Sequence, residues 1–537
     1  MLSARKLWPH CLIAAACLLA ACGGAAKPAG AGGTFVMAIN ADPPTLNPSW
    51  SVGQTHLVGC KIMEGLVAVA PDGHEVRPEL ASSWDISPDQ LTYTFHLRQN
   101  VQWHDGQPFS SDDVKWSLEN LNKFHPVGRA SLEKITSIDT PDGNTVVIHL
   151  KDPFAPFINT LTCPDGGAIS PKHIGQASAD PRADAKLNQA PIGTGPFVFK
   201  EWLPGDRVTL TRNPKYWKGQ GLPYLDQVVV RIIPDNGTMI QALRAGEIDY
   251  IYFLFVTRND VVRLQSQNDG KVEIHPENEA PVFDLIQLND RHAPLNNVEV
   301  RRALLMALNR DLILKDVYKG LGTLEPNMLD SRLAVTAAPD IDLQKMYPFD
   351  PAKANSMLDQ AGLPKKADGN RFELRLSYET GRGEWKDVAE IARSNWADVG
   401  VKVNLEPLER TVMLDKVYKK RDFDTTIQGY ASRGDPALGV SRAFVCEDDK
   451  DPPTFGNPTG YCRKDVDDLF AQAARTADFD KRHQAYQQIQ KILADDLPEF
   501  VFIGEQQASL SDKKFDLSAP RKATSASSGW EYVKRLP

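Results

Sequence analysis

The sequence is poor in the features that usually announce chemistry. Past residue 21 it has no apolar run approaching the roughly 20 residues a membrane-spanning helix needs, which excludes a second hydrophobic anchor of that kind. It has no G-x-S-x-G and no H-E-x-x-H, so the two commonest hydrolase signatures are missing and a secreted hydrolase is the weaker alternative. The eleven histidines stand singly, none at helical metal spacing, and neither a protein-held metal nor a cofactor is expected. The seven cysteines contain no C-x-x-C pair, so a zinc ribbon lacks its ligand spacing. Basic residues are not in excess: 61 Lys and Arg face 69 Asp and Glu, a net charge of −8 with no basic stripe. Nucleic acid is therefore not an expected partner.

What is present is an ordinary globular composition, 42% apolar and 24% charged, spread over 537 residues. That length suffices for more than one large core. The first 21 residues read as a targeting segment. Arg5 and Lys6 precede an apolar run at 12–19, too short to span a bilayer but suited to a signal-peptide core. Leu19-Ala20-Ala21-Cys22 resembles the bacterial lipoprotein box, in which the cysteine is lipidated and becomes the first residue. A Gly/Ala/Pro-rich tether at 22–33 follows. The alternative is an ordinary cleaved signal in which Cys22 is incidental. Cleavage before Cys22 removes two basic residues and no acid, so the exported chain is more acidic still.

Four cysteines remain, Cys60, Cys163, Cys446 and Cys462, and an even number in an exported chain favours disulfides. Of three possible pairings, Cys446 with Cys462 is favoured because the loop between them is polar, Pro/Gly-rich and otherwise unsupported. Closing a loop of that length contributes about 3 kcal/mol. Cys60 with Cys163 is the weaker companion.

Strand and helix patterns alternate irregularly. Residues 91–98 and 146–150 alternate apolar and polar side chains as half-buried strands do. Asn296 or Asn297 caps a helix with Val300, Leu304, Ala307 and Leu308 on one face, and Lys319-Gly320 is its stop signal. Asp350-Pro351 starts another, with Ala354, Met357, Leu358 and Ala361 inward and Gly362 ending it. Further helices are expected at about 385–399, leading into a strand at 401–405, and at about 480–494. The mixture predicts α/β lobes.

Several segments, read in order, resemble the peptide-, opine- and nickel-binding proteins of ABC importers. They are Ala41-Asp42-Pro43-Pro44-Thr45-Leu46-Asn47-Pro48, Met63-Glu64-Gly65-Leu66, Trp103-His104-Asp105-Gly106-Gln107-Pro108-Phe109, Gly193-Thr194-Gly195-Pro196-Phe197, Arg212-Asn213-Pro214-Lys215-Tyr216-Trp217, Gly246-Glu247-Ile248-Asp249 and Val300-Arg301-Arg302-Ala303-Leu304. The resemblance implies a two-lobed α/β periplasmic-binding-protein fold of type II, cluster C. Lobe I would take 34–275 with an inserted subdomain at about 80–190, lobe II 276–503, and residues 504–537 would return to lobe I. It implies crossover strands near 282–288 and 499–504, a solute enclosed between the lobes, and hinge closure that docks the receptor on a permease. The implied protein is a monomeric receptor at the periplasmic face of the envelope, not an enzyme, and a nickel-chelate or haem receptor of the same fold is the alternative. Trp103-His104-Asp105-Gly106 reads as a turn rather than an acid/base pair. Gly193-Thr194-Gly195 is no phosphate loop, because Pro196 removes a donor and no Lys-Ser/Thr follows.

The pocket is where the chain departs from the resemblance. Peptide-binding relatives carry, on a loop after a lobe II strand, an acid that pairs with the peptide's α-ammonium. Here the corresponding stretch is Gly429-Tyr430-Ala431-Ser432-Arg433-Gly434-Asp435-Pro436, with Ser432 at the acid's position and Arg433 beside it. A second loop, Tyr378-Glu379-Thr380-Gly381-Arg382-Gly383-Glu384-Trp385, offers Arg382 for a carboxylate. Two guanidinium forks suit a carboxylate or phosphate, so an anionic or zwitterionic solute is expected. The candidate ligand-contact residues are Arg433, Ser432, Tyr430, Asp435, Arg382 and Trp385, the two aromatics as stacking surfaces; the alternatives are core packing for the aromatics, turn capping for Asp435 and a solvated charge or inter-lobe salt bridge for Arg433.

Replacing Cys22 by Ser leaves the precursor uncleaved or moves the protein from membrane to soluble fractions; unchanged membrane partitioning on fractionation would sink the lipid-anchor reading.

Overall fold

The computed structural model describes residues 32–69, 76–125, 129–219, 221–267, 270–277, 282–380, 382–431, 435–447, 456–518 and 529–537. Cys22 lies outside the described residues. Two large sheets organise the chain. The seven-stranded sheet runs, edge to edge, through 273–277, 507–511, 250–251, 34–39, 227–232, 207–212 and 197–203. Its central strand Thr34–Ile39 is parallel to both neighbours, and Phe35, Met37 and Ile39 pack with Val228, Val230, Met239 and Leu243 in one core. The six-stranded sheet runs through 322–324, 499–505, 282–288, 425–431, 372–379 and 401–408. The parallel strands Phe372–Glu379 and Val401–Leu408 are joined by the helix Gly383–Asp398, the right length for such a crossover. That helix buries Val388, Ala392 and Trp396, and the Trp396 indole N–H donates 2.9 Å to the Leu304 carbonyl. Truncating so large a buried aromatic costs about 3–5 kcal/mol.

A smaller antiparallel sheet, in the order 81–86, 92–97, 145–150, 135–142, lies in sequence between strands 34–39 and 197–203 of the seven-stranded sheet. Tyr93, Phe95, Val146 and Ile148 point to one face and are covered by the helix Ser111–Phe124 through Val114, Leu118 and Leu121. The alternation expected at 91–98 and 146–150 is thus realised as two adjacent strands.

Local signals set most helix ends. The side chains of Asn297 and Asp350 accept the backbone N–H groups of Glu299 and Lys353, starting Val298–Met306 and Pro351–Gln360. The helix expected to run from Asn297 to Lys319 is corrected: it ends at Met306, because Asn309 recaps the chain by accepting from Leu312 N, and a new turn begins at Arg310. The passages between sheets lie beside the segments expected for the crossovers. Val282–Leu288 and Glu499–Glu505 are neighbouring antiparallel strands of the six-stranded sheet, and the chain changes sheets between Glu277 and Val282 and again at Gln506. An apolar run is a strand signal, but it does not say to which sheet the strand belongs.

The structure joins Cys446 to Cys462 and Cys60 to Cys163, closing spans of 16 and 103 residues. Non-reducing peptide mapping should recover these two linked pairs. Replacing Cys446 and Cys462 by Ser should lower stability in urea by up to about 3 kcal/mol; free thiols at these positions in the oxidised protein contradict the pairing.

Candidate functional site

The two bodies meet where the chain crosses between them. Arg258 heads the helix Arg258–Gln267 of the first body, and its guanidinium reaches into the second. Its Nη2 lies 2.7 Å from Glu505 and its Nη1 3.2 Å from Glu384, while its plane stacks 4.4 Å above the ring of Tyr318. The Tyr318 hydroxyl donates to Asp284, a fully buried acid inside the strand Val282–Leu288. Burial, and then the neighbouring carboxyl of Glu505, push Asp284 well above the usual carboxylate range. Burial draws Arg258 down, but Glu505 and the groups around it more than offset this, so its pKa is raised. Arg332 ties the two crossing strands from behind, donating to the carbonyls of Glu505 and Val282 and pairing with Asp330.

Trp385 stands beside this cluster, 2% exposed, and among the described residues its indole N–H meets no acceptor. The side of the ring bearing that N–H approaches Gly429: a Cβ there would lie 3.4 Å from Trp385 Cζ2 and 3.0 Å from Asp284 Oδ1. A glycine at this position therefore keeps a side chain out of the space between an acid and an indole.

The structure distributes the other expected site residues unevenly. Arg382 stacks 4.7 Å over the Trp385 ring at the start of the helix Gly383–Asp398. Tyr430 is a core residue, 2% exposed. Its hydroxyl accepts from Gln287 (3.3 Å), lies 3.2 Å from that of Tyr418 and donates to the Gly456 carbonyl (3.2 Å). Asp435 takes the turn-capping role. It caps a short turn by accepting from Ala437 N and pairs with Arg482, both inside the second body. Ser432 and Arg433 lie outside the described residues. Sequence reasoning missed Arg258, Asp284, Tyr318 and Glu505. The available signal was Asp284, an acid at the centre of the otherwise apolar Val282-Phe283-Asp284-Leu285-Ile286; an ionisable residue in such a run needs a reason.

The recurring motifs of the first body converge on a different cluster, with a structural role. The Glu64 carboxylate accepts from Thr194 (2.7 Å), Tyr216 (2.7 Å) and Trp217 (2.8 Å), and Glu79 accepts from Gly65 N. Lys218 pairs at 2.5 Å with Glu531 of the C-terminal return. Burial raises both Glu64 and Glu79, the latter to about 8. His104 is not half of an acid/base pair. Its Nε2 donates to the Gly195 carbonyl (3.0 Å), its Nδ1 accepts from Gly193 N (3.3 Å), and Asp105 turns away to His173 (2.7 Å). The turn at 193–195 lies so close to the Ile62 carbonyl, 1.8 Å from a Cβ built on Gly193, that only glycine fits. A groove of about 650 Å³, bordered by His96, Arg98, Asn144 and Trp217, lies on the inserted subdomain away from the crossing strands. Among the described residues no group of three or more His, Cys, Asp or Glu is placed to hold a metal ion, and no helix is long and apolar enough to cross a membrane.

Two sheet-centred bodies, joined by adjacent strands and facing one another across a buried charged cluster, are the architecture of a receptor that closes on a solute. Comparison with known proteins decides which kind. Residues 75–451 match the family described as bacterial extracellular solute-binding proteins, family 5. The chain belongs to this family. It is 29% identical over 495 residues to the di/tripeptide-binding protein 2 of Pseudomonas aeruginosa, covering 87% of this chain and 88% of that protein. It is 30% identical over 488 residues to the probable D,D-dipeptide-binding periplasmic protein DdpA of Escherichia coli, covering 89% and 90%. The structure of the ABC transporter-associated periplasmic binding protein DppA from Helicobacter pylori, in complex with the peptide STSA, superposes with a TM-score of 0.75 at 26% identity, covering 94% of this chain and 99% of that one. The fold is that of the two-lobed periplasmic binding proteins, and family members are substrate-binding proteins of ABC importers, not enzymes. His104 ties two turns together, in keeping with the turn reading of Trp103-His104-Asp105-Gly106.

Burial pushes the His104 pKa from 6.5 down to about 4. Between those values the unfolded chain binds the proton and the folded one does not, so stability falls as the pH falls. From pH 7 to 5 the loss amounts to about 1–2 kcal/mol. Urea unfolding should therefore show the stability advantage of the wild type over His104→Asn shrinking by that amount at pH 5; a pH-independent difference contradicts the neutral, two-turn tie.

Proposed function

We propose that this chain is the lipid-anchored receptor of an ABC importer, that it captures a small zwitterionic or anionic solute of peptide or opine size between its lobes, and that it delivers the solute to a membrane permease. The observation that carries this reading is the contact across the crossing strands, where one guanidinium from the first body engages Glu384 and Glu505 of the second. Charged groups that meet only when two bodies come together are suited to a hinge-closing device. Family membership supports the transport role, and the relatives named for di- and tripeptides and D,D-dipeptides support a solute of that size. The box at Leu19-Ala20-Ala21-Cys22 supports the anchor. Lobe I, with strands from 34–277 and 507–511, and lobe II, with strands from 282–505, are the units that move in this proposal.

For the solute's carboxylate the reading assigns Arg382 and Arg433. Arg382 is held on the face of Trp385, which orients its fork, and among the described residues no ion pair engages it. The position occupied by Ser432 supplies no charge for an α-ammonium, so recognition of a plain peptide through that loop loses a charge-assisted hydrogen bond. Such a bond contributes about 1.5–3 kcal/mol, on the order of tenfold to a hundredfold in affinity.

Native mass spectrometry and calorimetry should show one small molecule bound per chain and released chemically unchanged. Arg382→Ala should weaken binding of a carboxylate-bearing solute at least tenfold with little change in the melting point of the protein alone. Turnover of the solute, or binding indifferent to both arginines, would overturn the assignment.

A further inference from the structure

Charge is unevenly placed along the chain. Residues 513–537 hold six Lys or Arg against two acids, although the whole chain is acidic at −8. The structure gathers four of the six. Phe515 and Asp516 pair antiparallel with Arg535 and Lys534, and Leu536 N donates to the Lys514 carbonyl (2.7 Å). Lys513, Lys514, Lys534 and Arg535 thus stand on one short ladder; Arg521 and Lys522 lie outside the described residues. The acids of this region sit beneath its cations. Asp512 and Asp249 are buried and pair with Lys514 at 2.7 and 3.5 Å, and Asp516 lies 3.8 Å from Lys534. Asp226, on the neighbouring strand, pairs with Arg212. Lys513 and Arg535 are exposed, and among the described residues no ion pair engages either. Beside them Leu536 is 44% exposed.

The chain enters the first lobe at the same place. A Cβ built on Gly33 would lie 3.9 Å from Arg535 Cδ, and Thr34 opens the central strand of the seven-stranded sheet. Strand register puts this end of the sheet opposite the lobe crossing. Ser511 pairs with Tyr250 and Glu273 here, whereas Gln507 pairs with Glu277 at the end where the chain passes to the second lobe. From Cys22 to Gly32 the chain cannot reach further than about 35 Å, and its one charged side chain there is Lys27.

We infer that Lys513, Lys514, Lys534 and Arg535 form a membrane-contact face whose partner is the anionic headgroup surface of the bilayer that holds the anchor. The inference rests on the lipid-anchor reading above and goes beyond it: the anchor limits distance, and the face sets orientation. A tether rooted beside Arg535 keeps these cations close to the headgroups at all times, so contacts too weak to hold a free protein suffice. Lys and Arg are attracted to anionic headgroups over about a Debye length, and Leu536 adds an apolar side chain at the interface. The same confinement favours lipid over an acidic protein as the occupant. The contact is made by the first lobe alone, at the end of its sheet away from the crossing strands, and so leaves the second lobe free to move.

The test uses the mature full chain carrying Cys22→Ser, which cannot be acylated, so that only the face is read. It is sedimented with vesicles of phosphatidylcholine alone or mixed with phosphatidylglycerol. At low ionic strength the anionic vesicles should retain at least threefold more protein than the neutral ones, and high salt should abolish the difference. Lysine acylation read by mass spectrometry should slow at Lys513 and Lys534 on anionic vesicles, and not at Lys353 and Lys491 of the second lobe. Lys513→Glu with Arg535→Glu should lower retention to the neutral-vesicle level without moving the melting point. Lys353→Glu with Lys491→Glu makes the same change in net charge and should leave retention within twofold. If the first pair does not fold, the acylation pattern of the otherwise unaltered chain carries the comparison. Equal retention on both kinds of vesicle, equal loss in both double variants, or unchanged labelling of Lys513 overturns the face. Cell fractionation of Cys22→Ser separates this from the anchor. A protein that turns soluble there yet ignores anionic vesicles keeps its anchor and loses the face. One that stays with membranes and binds the vesicles keeps the face and loses the anchor.

Discussion

The molecule is organised by the pairing of two strands, Val282–Leu288 and Glu499–Glu505, more than 200 residues apart in sequence and adjacent in the six-stranded sheet. The chain leaves the first lobe immediately before one of them and re-enters it immediately after the other. Because the strands pair antiparallel, both passages fall at the same end of the sheet. This brings Asp284 and Glu505, each buried, alongside one another and within reach of Arg258 from the opposite lobe. Register decides the matter: a one-residue slip in either strand would turn its acid to the other face of the sheet.

A second, separate concentration of charge holds the first lobe together. Glu64, Glu79 and Glu531 surround Lys218, with Thr194, Tyr216 and Trp217 supplying donors. Segments from four distant stretches of chain meet there, including the C-terminal return. Its polar groups are largely partnered. A buried network satisfied in this way specifies one packing. Motif density in the sequence pointed to this network.

Sequence and structure agree on the large scale for physical reasons that are local. Asp350-Pro351 starts a helix because the carboxylate satisfies an orphan N–H and proline pre-sets the backbone. Alternation at 92–97 and 145–150 makes strands because one face has a core to meet. Where local reading overreached, a competing local signal was present, as with Asn309, which recaps the chain and divides the helix expected to reach Lys319.

By itself the sequence determined the class of the protein: an α/β fold of two lobes, its family, and the character of Trp103-His104-Asp105-Gly106 and Gly193-Thr194-Gly195 as turns. These follow from residue patterns that act over a few positions or from motifs in fixed order. Only the tertiary structure decided what faces what. It turned Tyr430 toward Gln287 and Tyr418, spent Asp435 on Arg482, and assembled Arg258, Asp284, Tyr318 and Glu505 from four separate elements. No short-range rule carries that information. A side chain's partner across a sheet or between lobes depends on strand order and register, which are set by the whole chain folding at once.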